Sequence, residues 1–264
     1  MLTPNSDVSR NATIRANASS LAQALQRTVV EKNGNPVRVL FTDDGMSVWT
    51  HDIGKTMQVL ITNAKVDSLK VKEPCVLLIN ADEFSNLLSR KFGDSLVQIT
   101  TKPNEPINIT TKDGGNALYH PADEDDCAIV PDRWKMPKNS AGWIELPQKG
   151  NEVCTSRITL SKAALEQGMV DMQVASAPYV VFSFSSKGSR TSSGHWGTKT
   201  NQSHTPISAT VEGEDVEIGL AGLLKTIVSK LTTDEVVIHK HKDVPFIVME
   251  NDDTTIVAAE TIKE

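Results

Sequence analysis

The sequence has few cysteines and no long apolar run, and both absences narrow its class. Its 264 residues include three cysteines, Cys75, Cys127 and Cys154, which cannot all pair and show no CxxC spacing. A disulfide framework and a cysteine zinc site are therefore not expected. No apolar run approaches the roughly 20 residues that cross a bilayer, and the first residues lack a signal-peptide core. We expect an intracellular protein without a membrane partner.

Sequence motifs of several enzyme classes are also missing. The chain contains no Gly-rich phosphate loop, no G-x-S-x-G elbow and no HExxH motif. His239 and His241 would share one face of a strand, but no carboxylate or cysteine completes a metal set, so we interpret them as solvated sheet residues. The acidic run 123–126 is interpreted as part of a solvated linker. We predict no catalytic residues, no metal and no cofactor, and hence no enzyme.

What the sequence does contain is one segment that occurs twice. The copies begin at Val76 and Val216, and a shift of 140 residues aligns them. In each copy the apolar positions first follow helical spacing and then alternate, which predicts a strand, a helix of roughly three turns and a hairpin. The period is too long for one unit of a solenoid. The repeat therefore predicts a duplicated domain.

Length and composition agree with two domains. A hydrophobic content of 39% and a charged content of 23% are typical of a soluble globular protein, and 264 residues suffice for two cores. Around residues 121–153, four prolines, an acidic run and two tryptophans occur without a sustained period, which is typical of a linker. We predict an N-terminal domain at residues 1–122, a linker at 123–153 and a C-terminal domain at 154–264.

Apolar spacing also predicts a helix near the start of each domain. In the first domain Asn17 or Ser19 is expected to cap a helix that runs to Lys32. In the second domain Ser161 is expected to cap another. With the two helices of the repeated segment, this makes four.

These four helix segments are more basic than the chain, whose net charge is −6. Seven basic residues stand against five acidic ones, an excess of two, so the rest of the chain carries −8. The basic residues are Arg27, Lys32, Arg90, Lys91, Lys162, Lys225 and Lys230, and the acidic ones are Glu31, Asp82, Glu83, Glu166 and Asp171. Basic helices in an acidic protein suit contacts with DNA phosphates that carry no sequence information. The alternative is that acids at helix starts and bases at helix ends only complement the helix dipole.

The C-terminal part resembles the DNA sliding clamps of the PCNA family. Its helix LAGLLKTIVSKL is followed by DEVVIHKH, then KDVPFIVMEN, then TTIVAAETIKE, and family members end with the same order of helix, strand, Asp-Val-Pro hairpin and final strand. In the first domain, DDGMSVWTHDIGKTMQVLIT is similar to the family's Gly-initiated strand pair. The resemblance covers nearly the whole chain. It implies an α+β DNA-clamp fold with two similar domains, each with antiparallel sheets outside and two helices inside.

The resemblance also implies a function and its residues. Chains would form a ring, most often a homotrimer, around double-stranded DNA, and would tether DNA polymerase and other peptide-motif proteins after a clamp loader acts. The implied DNA-binding residues are Arg27, Lys32, Arg90, Lys91, Lys162, Lys225 and Lys230. The implied partner-peptide pocket comprises His51, Ile129, Trp134, Pro245, Val257, Ala259 and Ile262. Neighbouring chains are expected to join through an edge strand at Tyr179–Phe184 and the hairpin at Asn108–Thr111.

Three alternatives remain beside this interpretation. Two keep the clamp fold: a subunit of a heteromeric or checkpoint clamp, and a monomeric processivity factor. The third is a small-molecule enzyme with duplicated domains, against which the lack of clustered catalytic residues argues. The mass in solution separates a ring from a monomer.

Overall fold

The computed structural model describes residues 3–4, 6, 8–31, 36–103, 105–127, 129, 131, 136–146, 149–194 and 202–261. The chain divides into two compact units, unit 1 (Met1–Val130) and unit 2 (Pro131–Glu264). The division lies inside the segment predicted to be the linker. Among the described residues, no helix is long and apolar enough to cross a membrane.

Unit 1 is built from two copies of one module, a strand followed by a helix and three strands. The first module comprises β1 (Ala12–Asn17), α1 (Ala18–Gln26), β2 (Val37–Thr42), β3 (Gly45–His51) and β4 (Met57–Ala64). A short strand, β5 (Lys70–Val71), leads to the second module. That module comprises β6 (Cys75–Ile79), α2 (Ala81–Phe92), β7 (Leu96–Thr101), β8 (Ile107–Thr111) and β9 (Asn116–Tyr119).

Unit 2 repeats this order after a small hairpin of β10 (Glu145–Leu146) and β11 (Glu152–Val153). Its first module comprises β12 (Ser156–Ser161), α3 (Lys162–Ala175), β13 (Val180–Phe184), β14 (Ser189–Ser193) and β15 (Ser203–Ile207). The strand β16 (Ala209–Gly213) then leads to β17 (Val216–Leu220), α4 (Leu223–Lys230), β18 (Glu235–Lys240), β19 (Phe246–Asn251) and β20 (Thr254–Ala259). The repeated segment of the sequence therefore begins at β6 and β17, although α4 is shorter than three turns.

The two modules of each unit exchange their first strands. In unit 1, β1 pairs with β7 in the order β5-β1-β7-β8-β9, whereas β6 pairs with β2 in the order β6-β2-β3-β4. Unit 2 has the same arrangement, with β16-β12-β18-β19-β20 and β17-β13-β14-β15. The pairings within these runs are antiparallel. Each unit is thus an α+β fold in which the sheets hold both modules together.

The strand at Tyr179–Phe184, predicted to be an edge, is not one. The strand within this range is β13, which is hydrogen-bonded to β14 on one side and to β17 on the other. The predicted partner Asn108–Thr111 lies in β8, which is bonded to both β7 and β9. The prediction was wrong because β13 forms a hairpin with the polar strand β14 and is covered on its other side by β17, while β8 lies between its neighbours in the chain, β7 and β9. Among the strands described, β5, β6, β9, β15, β16 and β17 end their sheets, and β10 and β11 form a sheet of two strands.

Three helices begin at a side-chain cap, and two of these caps were predicted. Asn17 accepts a hydrogen bond from the backbone N–H of Ser20 at 2.9 Å, and Ser161 accepts one from Ala164 at 3.2 Å. Asn80 caps α2 in the same way. Each cap is the last residue of a strand or directly follows one, so the chain turns from sheet to helix without a loop.

Helix α1 ends at Gln26 and does not reach Lys32 as predicted. The hydroxyl of Thr28 donates to the carbonyl oxygen of Leu25 at 2.8 Å, and the β-branched run Thr28-Val29-Val30 follows. Both features favour leaving the helix, since a threonine side chain competes for backbone acceptors and β-branching restricts χ1. Glu31, counted among the helical acids, therefore lies outside α1.

The helices pack closely on one face of the sheets within each unit. In unit 1 the rings of Phe84 on α2 and Tyr119 on β9 meet edge to face, with centroids 4.9 Å apart. In unit 2, a Cβ on Gly168 of α3 would lie 2.5 Å from Cζ of Phe182 and 3.3 Å from Leu224 of α4. Glycine at this position therefore allows a close approach that no larger residue permits.

Helix α3 is also fastened by one buried carboxylate. Asp171 is 1% exposed, and its Oδ1 accepts hydrogen bonds from Ser203 and Thr205 at 2.8 Å and from Gln167 at 3.1 Å. Its Oδ2 accepts one from Thr191. Burial raises the pKa of Asp171, but these hydrogen bonds outweigh burial and hold it below its usual range. The carboxylate therefore ties α3 to β14 and β15.

The Asp171 network predicts a pH-dependent stability loss. Asp171→Ala leaves buried hydroxyls without their acceptor and is expected to lower the free energy of unfolding at pH 7 by about 2 to 4 kcal/mol. Because the folded pKa is depressed, the stabilisation is present above the unfolded pKa of about 3.9 and is lost as pH falls through the folded pKa. Urea unfolding of both proteins at pH 7 and pH 3 measures this difference.

The control is Asp171→Asn, which keeps the shape and one acceptor and should lose less at pH 7. A difference between wild type and Asp171→Ala that is equally large at both pH values would contradict the ionised network.

Candidate nucleic-acid interface and peptide surface

Three of the cations predicted to contact DNA are exposed on helices. Arg90 and Lys91 lie in the last turn of α2, and Lys225 lies in α4. They belong to the second helix of each unit. Within α1 and α3 the exposed side chains are neutral apart from Glu166, so the exposed cations of the four helices lie on α2 and α4.

Two further predicted cations are half-buried. Arg27 caps the C-terminal end of α1. The ammonium group of Lys162, at the start of α3, donates to the carbonyl oxygen of Leu231 at 3.2 Å, directly after α4. A cation at this end of α4 is favourable for the helix dipole. Lys162 therefore has a structural role in addition to its charge.

The prediction for Lys230 was wrong in one respect, because this residue is only 5% exposed. It follows Ile227 by three residues and therefore falls on the buried side of α4, which also carries Leu224 and Leu231. The repeat aligns Lys230 with Arg90, which is exposed, and the alignment therefore gave no sign that Lys230 is buried. Lys230 does not present its charge to solvent, and we remove it from the candidate interface. Lys32 lies outside the described residues.

Not all acidic residues counted in the helix segments are exposed on the helices. Asp171 is buried in its own network, while Glu83 and Glu166 are exposed. Asp82 and Glu83 stand in the first turn of α2 and Arg90 and Lys91 in its last, so the dipole interpretation holds for this helix as well. The exposed helix surface carries three cations against two carboxylates.

Within unit 2, three residues of the predicted peptide pocket share one surface. Val257 and Ala259 alternate on β20, so they point to the same side. Pro245 is exposed, and its carbonyl oxygen accepts from the N–H of Glu260 at 2.9 Å. Phe246 lies opposite Ala259 in the strand register and is half-buried. The sequence analysis missed Phe246, although alternation along β19 would have placed it there.

A buried ion pair closes the end of this surface. The ammonium group of Lys240 lies 2.8 Å from Oε2 of Glu260 and also donates to the carbonyl oxygen of Val244. Burial raises the pKa of Glu260, and the bond from Lys240 only partly opposes the rise. The pair fixes the strand ends that carry Pro245 and Ala259.

The histidines of β18 and its end are buried and not solvated as predicted. His239 is 1% exposed and its Nε2 lies 2.8 Å from Oε2 of Glu250, whose other oxygen pairs with Lys138 at 2.8 Å. Burial raises the pKa of Glu250, but hydrogen bonds from His239 and Lys138 outweigh it and lower the pKa overall. Glu250 and Lys138 therefore cover a strand position that simple alternation assigns to solvent.

His241 is covered in the same way. It is 4% exposed, and its Nε2 lies 3.1 Å from Oε2 of Glu152 on β11. Among the described residues no group of three or more His, Cys, Asp or Glu side chains is placed to hold a metal ion.

Two other residues of the predicted pocket, His51 and Ile129, belong to unit 1. In unit 1, His51 ends β3 half-buried, with its Nδ1 2.6 Å from the carbonyl oxygen of Asp52 and its ring 5.1 Å from Trp49. Ile129 is 69% exposed. Trp134 and Ile262 lie outside the described residues.

The three thiols are poor nucleophiles. Cys75, Cys127 and Cys154 are free and buried, and burial raises the pKa of each to about 11. The thiolate is the reactive form of cysteine, and at neutral pH it is almost unpopulated at such values.

Comparison with solved structures identifies the fold. PCNA from Entamoeba histolytica is 13% identical with a TM-score of 0.64, and the match covers 96% of this chain and 99% of that one. PCNA from A. fulgidus, solved with the C-terminal region of FEN-1 bound, is 12% identical with a TM-score of 0.67 over 96% and 99%. The DNA polymerase III β subunit from Thermotoga maritima is 13% identical with a TM-score of 0.69 over 98% and 68%.

No family model and no curated protein sequence matches the chain. The agreement is therefore one of structure, and it extends over nearly the entire chain through both units. The exchanged first strands, the antiparallel sheets and the two helices per unit are observed directly in this protein. This protein has the fold of the DNA sliding clamps.

Proposed function

We propose that the chain is a DNA sliding clamp, a polymerase processivity factor that encircles duplex DNA and tethers replication and repair enzymes through short peptide motifs. The observation that carries the proposal is a clamp fold over the whole chain together with exposed cations on α2 and α4. Such a protein acts inside the cell and catalyses no reaction. It keeps enzymes on DNA by topology, after a clamp loader has placed it there.

The charge distribution supports DNA as the central partner. Arg90, Lys91 and Lys225 are exposed on α2 and α4, although the chain has a net charge of −6. Lys and Arg attract phosphates without reading bases. A few weak contacts are what sliding requires, because a protein that binds many phosphates tightly would be held in place.

Peptide partners are supported by the surface of unit 2. One similar structure carries the C-terminal region of FEN-1 on PCNA. Here Pro245, Phe246 and Ala259 provide a partly exposed apolar surface, and residues 123–153 form the connecting segment in this proposal. An apolar surface with an exposed proline and a half-buried phenylalanine suits the aromatic anchors that usually dominate peptide binding.

Ring assembly requires two unpaired strand edges on each chain. Among the described strands, β9 in unit 1 and β15 in unit 2 each have one neighbour, and exposed edges pair readily with another chain. We propose that β9 of one chain joins β15 of the next. β15 contains Pro206, and proline within a sheet is confined largely to edge strands, the starts of strands and bulges.

Sedimentation equilibrium tests the assembly. A homotrimer should have a mass close to three times the 28.7 kDa of one chain, stable to dilution through the micromolar range. A stable monomer at micromolar concentration would exclude the homotrimer and favour either a monomeric processivity factor or a subunit of a heteromeric clamp.

The DNA interface is tested by removing its cations. Loading on circular DNA, read as retention against salt, should weaken for the double variant Arg90→Ala, Lys91→Ala and for Lys225→Ala, without any change in base preference. Each lost phosphate contact lowers the salt slope by about 0.9.

The matched control for the DNA experiment is Lys187→Ala, an exposed lysine in the turn between β13 and β14. Unchanged retention and an unchanged salt slope in both interface variants would show that α2 and α4 do not face DNA.

The peptide surface is tested by Ala259→Asp. A carboxylate opposite Phe246 should lower the affinity for a polymerase-tail peptide at least about tenfold in calorimetry, because an apolar anchor would have to desolvate it. Ala163→Asp makes the same change on exposed α3 and should bind like wild type. Equal affinities of Ala259→Asp and wild type would place the peptide site elsewhere.

A further inference from the structure

None of the described helices of unit 1 covers the exposed face of the sheet β5-β1-β7-β8-β9. Alternation along its strands puts Ile14, Val97 and Ile109 on the buried side, against which Phe84 of α2 also packs. We call the opposite side the outer face. Its strand residues are Lys70, Thr13, Arg15, Asn17, Leu96, Gln98, Thr100, Asn108, Thr110, Asn116 and Leu118. None of them is acidic, although the chain as a whole carries −6.

Two cations stand directly opposite each other on this face. Arg15 on β1 is the register partner of Lys70 on β5, and both are exposed. Lys112, also exposed, directly follows β8. Arg15 donates one hydrogen bond to Oε1 of Gln98 at 3.1 Å. Among the described residues no carboxylate forms an ion pair with these three cations. Like charges directly opposite on a sheet are destabilising, so this arrangement costs stability.

The fold itself does not require that arrangement. In unit 2 the corresponding strands are β12 and β16, and the arginine that points outward there, Arg157, is the register partner of Glu212. Nη1 of Arg157 lies 3.6 Å from Oε1 of Glu212. The same sheet position therefore holds an opposite-charge pair in unit 2 and a like-charge pair in unit 1. A cost that the related sheet avoids indicates a use for the unpaired cations.

An open groove of about 340 Å³ lies on the outer face. Arg15, Gln98, Thr110 and Lys112 supply its polar lining, and Leu96 supplies an apolar wall. Leu96 is 55% exposed, and Leu118 on the same face is 67% exposed. Cations alone suit any anion. Cations beside an exposed leucine suit a polypeptide that carries both carboxylates and aliphatic side chains.

We propose that the outer face of unit 1 is a docking surface for an acidic peptide segment of a partner protein. Carboxylates of the segment contact Arg15, Lys70 and Lys112, and an aliphatic side chain contacts Leu96. Binding of carboxylates relieves the repulsion between Arg15 and Lys70, and this relief contributes favourably to the free energy of binding. This surface lies on the side of the sheet away from α1 and α2. It shares no residue with the proposed DNA contacts or with the surface around Pro245, and it does not rest on the clamp function.

The test uses the full chain and a short labelled peptide in which glutamate and leucine alternate. Arg15→Gln should weaken binding about twofold to fivefold, as expected for loss of an exposed charge contact. Lys70→Glu recreates the pairing of unit 2, so it should weaken binding further and at the same time raise the thermal midpoint. The control is Lys102→Gln, an exposed lysine of the same unit that already pairs with Glu105 at 3.4 Å.

Opposite changes in affinity and stability distinguish a docking surface from a structural one. Unchanged peptide affinity in Lys70→Glu with a raised midpoint would overturn the proposal, because the pair would then be an electrostatic defect without a ligand. Absence of wild-type binding at millimolar peptide would also overturn it. A thymidine oligonucleotide of equal charge that binds as tightly as the peptide would identify a phosphate polyanion instead. The outcome of the DNA retention experiment does not affect peptide binding, so the clamp function and the docking surface can be refuted independently.

Discussion

Strand exchange between modules is the constraint on which the rest of the structure depends. In unit 1, β1 belongs to the sheet of β7, while β6 belongs to the sheet of β2, and unit 2 repeats the exchange with β12 and β17. A module alone would leave its first strand unpaired and its helix without a sheet to cover. The smallest stable unit therefore contains both modules. Pairs such as Arg15 and Gln98, separated by 83 residues, also make the contacts non-local, which slows folding.

The same exchange determines how the helices begin. Each helix follows directly after an exchanged strand, and in three modules a side-chain oxygen of Asn17, Asn80 or Ser161 supplies the cap. The fourth module begins α4 at Gly222 without a side-chain cap. A helix fixed in this way at its first residue has its buried side determined by the sheet beneath it. Arg90, Lys91 and Lys225 occupy helix positions outside that buried side and are exposed to solvent.

The helices of the two units are held in place by different interactions. In unit 1 the side chain of Gln26 on α1 donates to Ser85 and Asp82 of α2, so the seam is polar. In unit 2 the absence of a side chain at Gly168 lets α3 approach Phe182, and Asp171 ties the helix to β14 and β15. A polar seam tolerates shifts of a few tenths of an ångström. A glycine contact combined with a four-bonded carboxylate does not.

Much of the architecture could be predicted from the chain because it is local. The repeat beginning at Val76 and Val216, and the caps Asn17 and Ser161, depend on spacing and on side-chain chemistry within a few residues. The edge strands could not be predicted, because β13 is covered by strands that local alternation does not identify. Burial of Lys230 was missed for a related reason. The alignment with Arg90 shows that both positions are basic, but it does not show which side of the helix faces the sheet. His239 was assigned to solvent because alternation cannot show that another segment covers a strand.

The outer faces show how one fold can support different tasks in two units. In unit 2, Glu250 joins His239 to Lys138, Glu152 meets His241, and Glu212 meets Arg157, so charges on that side are matched within the chain. In unit 1 the corresponding side retains Arg15 and Lys70 unmatched. Sheets of this kind are specified by their buried faces, because a register change there would expose the core. Their outer faces are therefore free to diverge, and a pattern of charges on such a face that costs stability is informative about binding in a way that a core residue is not.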